Sequence, residues 1–187
     1  MAGRLVSAAP GFPPWAQVGA VRRAHVERVA ALLRRWAEVQ GVSGSERDRW
    51  LRAAYLHDAL RDAPPAELER LAPDAWGVPK LRHGPAAARL AAEHGETDRG
   101  VLRAVHYHSV GFAGWDRVGR LLYLADYLEP GRPFRVEERT AQAARVPQEP
   151  EAVLREVTAE RLRWTLDAGR PLLPESVEFW NGLVGSS

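Results

Sequence analysis

Six residues of metal-binding type interrupt the apolar stretches of this chain. His25 stands four residues from both Val21 and Val29, and His108 stands three beyond Val105, so each extends an apolar helical face. Asp126 sits inside the run LLYLADYL, His57 and Asp58 follow Ala53-Ala54-Tyr55-Leu56, and His83 precedes Gly84-Pro85. Singly, each has a plain reading: a hydrogen-bonded core histidine, or an aspartate paired with one of the arginines. An unpaired buried carboxylate is costly, however, so Asp126 needs a cation or a donor. A shared cation site accounts for four inward histidines and two inward aspartates at once. Nitrogen and oxygen ligands without sulfur suit octahedral iron, manganese or cobalt better than a closed structural zinc. The six also exceed what one ion with an open position uses, which points to two ions.

The elements that must position these groups read as helices throughout. Val18, Val21, Val29, Leu32 and Trp36 mark an amphipathic helix between Trp15 and Val39, ended by Gly41. A second helix starts near Ser45 as N-cap and runs through Leu51, Ala54 and Leu60 until Pro64-Pro65. Residues 63–82 are Pro-rich and irregular, with one helical turn at Ala66–Leu71. Pro85 suits the first position of a third helix to about His94. Further helices are expected over Asp98–Ser109, Asp116–Leu128, Val136–Ala144, Pro150–Ala168 and Pro174–Leu183. No strand-type alternation is sustained. The expected architecture is one all-α helical bundle over residues 15–187, preceded by a flexible leader over residues 1–14.

Composition narrows the classes. The chain has 187 residues, 45% of them hydrophobic and 27% charged, as in a globular protein. No apolar run approaches the roughly 18–20 residues of a membrane span, and Pro10, Pro13 and Pro14 break up any signal-peptide core, so the expected location is the cytoplasm. Cysteine is absent, which removes disulfides, thiolate nucleophiles and sulfur-bound metals. The net charge is +2, and Lys80 is the sole lysine. The arginines are interleaved with acids as on solvated helix faces, which argues against a nucleic-acid partner.

The order His25, His57-Asp58, Asp126 resembles the H…HD…D pattern of the HD superfamily. Arg22-x-x-His25, Leu56-His57-Asp58, His83-Gly84-Pro85, Tyr107-His108-Ser109 and the string ADYLEPGR (Ala125–Arg132) resemble one branch more closely, the YqeK family of symmetrical diadenosine tetraphosphate hydrolases. That resemblance implies an HD-domain bundle with a metal centre in its core. It implies as ligands His25, His57, Asp58, His83, His108 and Asp126, with Asp58 bridging two irons. It implies no role for His94 or His106; the latter points about 200° away from His108 on the same helix. Where the family commonly has Lys three residues after the HD aspartate, this chain has Arg61, a planar fork in place of a point charge.

The reaction expected from the resemblance is metal-assisted hydrolysis of a dinucleoside polyphosphate, giving two ADP from diadenosine tetraphosphate. Asp58 and Arg61 are the expected catalytic pair. Arg22, Arg61, Lys80, Arg82 and Arg132 are candidates to grip phosphate, with Arg61 and Arg132 favoured because each lies near an expected ligand. Imidazole ligation predicts loss of activity below about pH 6. Two alternatives stay open: another HD phosphohydrolase acting on nucleoside monophosphates or alarmones, and a non-catalytic nucleotide-sensing or ribosome-associated module. A homodimer also stays open.

Overall fold

The computed structural model describes residues 10–185, and within them every regular element is helical. The chain runs α1 (Ala20–Val39), α2 (Gly44–His57), α3 (Pro65–Leu71), a short 3-10 turn (Pro79–Leu81), α4 (His83–Glu93), α5 (Arg99–Tyr107), α6 (Arg117–Leu128), α7 (Val136–Arg145), α8 (Pro150–Asp167) and α9 (Pro174–Val184). This is the all-α bundle expected. Residues 1–9 of the expected leader lie outside the described residues; Phe12 packs on the Tyr55 ring at 5.2 Å, under the Arg23 guanidinium.

Helices α1, α2, α4, α5 and α6 form the bundle around the centre. α1 lies on α2 and α6, α2 also meets α4 and α5, and α4 pairs with α5. α8 packs across α6, and α9 closes over α8. Val26, Val29, Leu33 and Trp36 of α1, Trp50 and Ala54 of α2, and Leu121, Leu122 and Leu124 of α6 are fully buried. The buried indole N–H groups are satisfied, Trp36 donating to the Ala143 carbonyl and Trp50 to Glu46.

One arginine ties three helix starts together. Arg49 pairs with Asp98, the N-cap of α5, with Asp116, the N-cap of α6, and with Glu46 in the first turn of its own helix. The caps satisfy orphan N–H groups, and their negative charge complements the helix dipoles.

Several boundaries differ from the sequence-based expectation. α1 starts at Ala20, and Val21 is 87% exposed, so the buried stripe begins at His25 and Val26. Ser43, not Ser45, caps α2 by accepting from the Glu46 N–H. α2 ends at His57, short of Leu60. α4 begins at His83, two residues before the proline expected to open it. The turn expected at Ala66–Leu71 is the helix α3.

Candidate metal centre

Five helices deliver the six candidate ligands to one place. His25 projects inward from α1, His57 ends α2 with Asp58 as its C-cap, and His83 opens α4. His108 is the C-cap of α5, and Asp126 lies in the buried face of α6. All six are buried. Their ligand atoms form two groups, His25 with His57 and Asp126, and Asp58 with His83 and His108, each within 4.8 Å. Asp58 stands between them. Its Oδ1 is 3.1 Å from His83 Nε2 and 3.6 Å from His108 Nε2, while its Oδ2 is 3.7 Å from the Nε2 of both His25 and His57.

The second nitrogen of each ring fixes its tautomer. Nδ1 of His57, His83 and His108 contacts the carbonyl oxygens of Ala54, Lys80 and Val105 at 2.6, 2.9 and 2.8 Å. A carbonyl only accepts, so each Nδ1 carries the proton and each Nε2 presents a lone pair when the ring is neutral. His25 Nδ1 likewise donates to the Glu129 carboxylate at 3.1 Å. Four Nε2 atoms therefore converge on two carboxylates, and those of His83 and His108 approach to 3.1 Å. The buried Nε2 of His57 has no hydrogen-bond partner, and that of His25 faces Asp126 Oδ1 at 3.1 Å. Converging acceptors inside a core repel unless a cation or proton lies between them, so this donor set fits metal ions.

The electrostatics point the same way. Burial alone would raise Asp58, yet the surrounding His57, His108 and His83 hold it well below the usual carboxylate range. Asp126 also lies well below it, held down against burial by Arg132 and His25. Burial pushes His57 down to about 4. His25 is likewise opposed by burial, but hydrogen bonds to Asp126 and Glu129 raise it to about 9.

Glu129, part of the string Ala125–Arg132 but without a role expected from sequence, also belongs to the site. It is 1% exposed, bonds His25 Nδ1, and accepts from Arg28 Nε at 2.5 Å and from the Gly131 N–H at 2.7 Å. Arg161 is a second such residue. It lies 3.8 Å from Asp126 Oδ2 and donates to the Ser109 carbonyl, with its guanidinium over the Tyr123 ring. Its position four residues after the buried Val157 is the signal that could have found it.

The expected phosphate-gripping cations divide. Arg22 donates to Asp58 Oδ2 at 2.7 Å, and Arg132 donates to Asp126 Oδ1 at 2.6 Å and to the Asp126 carbonyl at 3.0 Å. Arg61 donates to the Lys80 carbonyl, the same oxygen that accepts from His83, so it reaches the centre through one shared acceptor. The Lys80 side chain is exposed, and Arg82 stands 3.6 Å from Glu69. His94 bonds the Leu90 carbonyl at the surface.

A cleft of about 780 Å³ opens beside Asp126, walled by Arg132 and Phe134 after α6 and by Thr158, Arg161 and Trp164 of α8. A larger cavity of about 930 Å³, lined by Trp76, His106 and Tyr107, contains none of the six candidate ligands. The smaller cleft is the one that adjoins the chemistry.

Residues 22–131 match the HD domain family, a match over more than half of the chain, and the chain belongs to that family. It is an HD-domain hydrolase. It is similar to the symmetrical bis(5'-nucleosyl)-tetraphosphatase of Bacillus subtilis (strain 168), with 27% identity over 147 residues, 72% of this chain and 76% of the relative. The enzyme of the same name from Halalkalibacterium halodurans is 26% identical over 106 residues, 56% of each chain. A crystal structure of a predicted HD superfamily hydrolase involved in NAD metabolism from Clostridium acetobutylicum has the same fold. It superposes with a TM-score of 0.78 at 22% identity, over 91% of this chain and 92% of the other. No described helix is long and apolar enough to cross a membrane.

Proposed function

We propose that this chain hydrolyses dinucleoside tetraphosphates symmetrically, giving two ADP from diadenosine tetraphosphate. The observation that carries the hydrolytic centre is Asp58, whose two oxygens face two separate sets of imidazole nitrogens. The substrate rests on likeness to relatives named as tetraphosphatases.

In this reading His25, His57 and Asp126 would hold one ion and His83 and His108 the other, with Asp58 facing both groups. Iron is the favoured metal, with manganese or cobalt as alternatives, because the donors are imidazole and carboxylate without sulfur. Such a pair, when bound, supplies an activated water near neutral pH and neutralises phosphate oxygens. The protein's own part is positioning and charge. Glu129 and the three carbonyl acceptors fix the rings, so the lone pairs do not have to be oriented during turnover. Arg22 and Arg132, each docked on a carboxylate, keep positive charge beside the phosphate chain, and Arg161 adds a third cation from α8. Arg61 acts with Lys80 on the His83 side. Water attacks a phosphorus beside the central bridging oxygen, the bond from that phosphorus to the central oxygen breaks, and the other half leaves with that oxygen, so both products are nucleoside diphosphates. The proposed place of action is the cytoplasm.

A panel assay of metal-loaded protein tests this reading. Diadenosine tetraphosphate should be turned over in preference to deoxynucleoside monophosphates and guanosine tetraphosphate. Preference for either of the latter would assign the centre to a different HD-type reaction.

A further inference from the structure

Phe134 lies two residues beyond Arg132 in the loop joining α6 to α7, lines the cleft beside Asp126 and is 42% exposed as a residue. It is nevertheless held in place. The Arg139 guanidinium covers one face, 4.8 Å from the ring centroid. Tyr127 packs against it edge to face at 5.9 Å, and is itself anchored by its hydroxyl to Glu160 at 3.0 Å. Arg139 is 2% exposed and donates to the carbonyls of Tyr127, Arg132 and Phe134 at 3.0, 2.9 and 3.2 Å, and also to that of Glu129. One guanidinium thus fixes the loop that carries Glu129, Arg132 and Phe134.

The ring is backed on one side and exposed on the other, in a cleft where Arg132, Arg135, Glu160 and Arg161 stand beside the aromatic Tyr127 and Trp164. Exposure of an apolar ring is unfavourable, and a planar aromatic ligand on the open face would remove it from water. The neighbouring arginines suit an anion attached to that ligand.

We infer that Phe134 is the stacking platform for one purine base of a nucleotide bound in this cleft, with Arg139 as its positioning residue. The inference rests on the dinucleotide substrate proposed above for the adjoining metal centre. Every base presents a π-face, so such a platform favours nucleotides over base-free polyphosphates without choosing between adenine and guanine.

Calorimetric titration of the metal-loaded full chain with ADP and with pyrophosphate tests it without requiring turnover. Phe134→Ala should weaken ADP binding about tenfold or more and leave pyrophosphate binding unchanged, as expected for one lost base-stacking contact. Phe134→Trp should restore ADP binding. With diadenosine tetraphosphate, Phe134→Ala should raise KM and leave kcat within about twofold, the split expected when uniform binding is lost. Equal ADP affinity in wild type and Phe134→Ala would overturn the inference. So would a parallel loss of ADP and pyrophosphate binding, which indicates a disturbed loop. If wild type fails to cleave the dinucleotide while Phe134→Ala still loses ADP selectively, the platform stands and the proposed reaction falls.

Discussion

The Nε2 atoms of His83 and His108 stand 3.1 Å apart, each on a ring whose other nitrogen donates to a main-chain carbonyl. Gly84 permits this approach of α4 to α5. A Cβ there would lie 2.9 Å from the His106 carbonyl oxygen and 3.0 Å from that of Val105. Neither contact is with a flexible side chain, so the helices would have to separate. Gly84→Ala should cost about 1–3 kcal/mol of stability, as overpacking does. It should also lower metal content from two ions per chain toward one, since the His25 group lies on other helices. Elemental analysis of the purified variant checks this, and two ions retained would contradict it.

Glu129 orients His25 from behind while Arg28 holds Glu129. Such supporting carboxylates typically change metal affinity by about 10–100-fold when altered. Glu129→Gln keeps an acceptor but removes the charge, and it should weaken metal binding within that range. Competition against a chelator measures it; unchanged affinity would show that His25 is oriented by packing alone.

Arg139→Met should destabilise the fold by about 2–4 kcal/mol, because each buried carbonyl left without a donor costs about 1–3 kcal/mol and some regain water. Urea unfolding gives the value. A loss near zero would mean that the loop after α6 does not depend on this guanidinium.

A pH effect should be readable away from the centre. The hydrogen bond from Arg49, against burial, together with the Val101 and Gly100 N–H groups, holds the Asp98 carboxyl below its usual value. A depressed carboxyl contributes fully above its unfolded value of about 4 and loses that contribution as pH falls through the folded value. Asp98→Ala should therefore cost about 1–2 kcal/mol at pH 7, as loss of an N-cap does. The gap from wild type should narrow as pH is lowered from about 5 to about 2. Thermal melts across this range decide the point, and a gap independent of pH would contradict it.

The six candidate ligands were readable to different depths. His108 extends the buried face of Val105, and Asp126 sits in a run whose neighbours are almost all buried, so periodicity alone pointed inward. For His25 the pattern is partly misleading, since of the two valines four residues away Val21 is exposed and Val29 is buried. A lone valine near a helix start does not define a face. His57, Asp58 and His83 fall at helix ends, where a 3.6-residue period carries little information, and resemblance placed them. Glu129 and Arg139 escaped because their roles depend on a loop closing over distant helices. The tautomers were illegible for the same reason: each Nδ1 partner becomes visible only when the backbone around it is folded.

The central claim is tested most directly by identifying the nucleotides released when the metal-loaded protein acts on diadenosine tetraphosphate. The account predicts ADP as the sole nucleotide product, with no release from the His57→Ala protein. Equimolar ATP and AMP, or equal turnover by that variant, would contradict it.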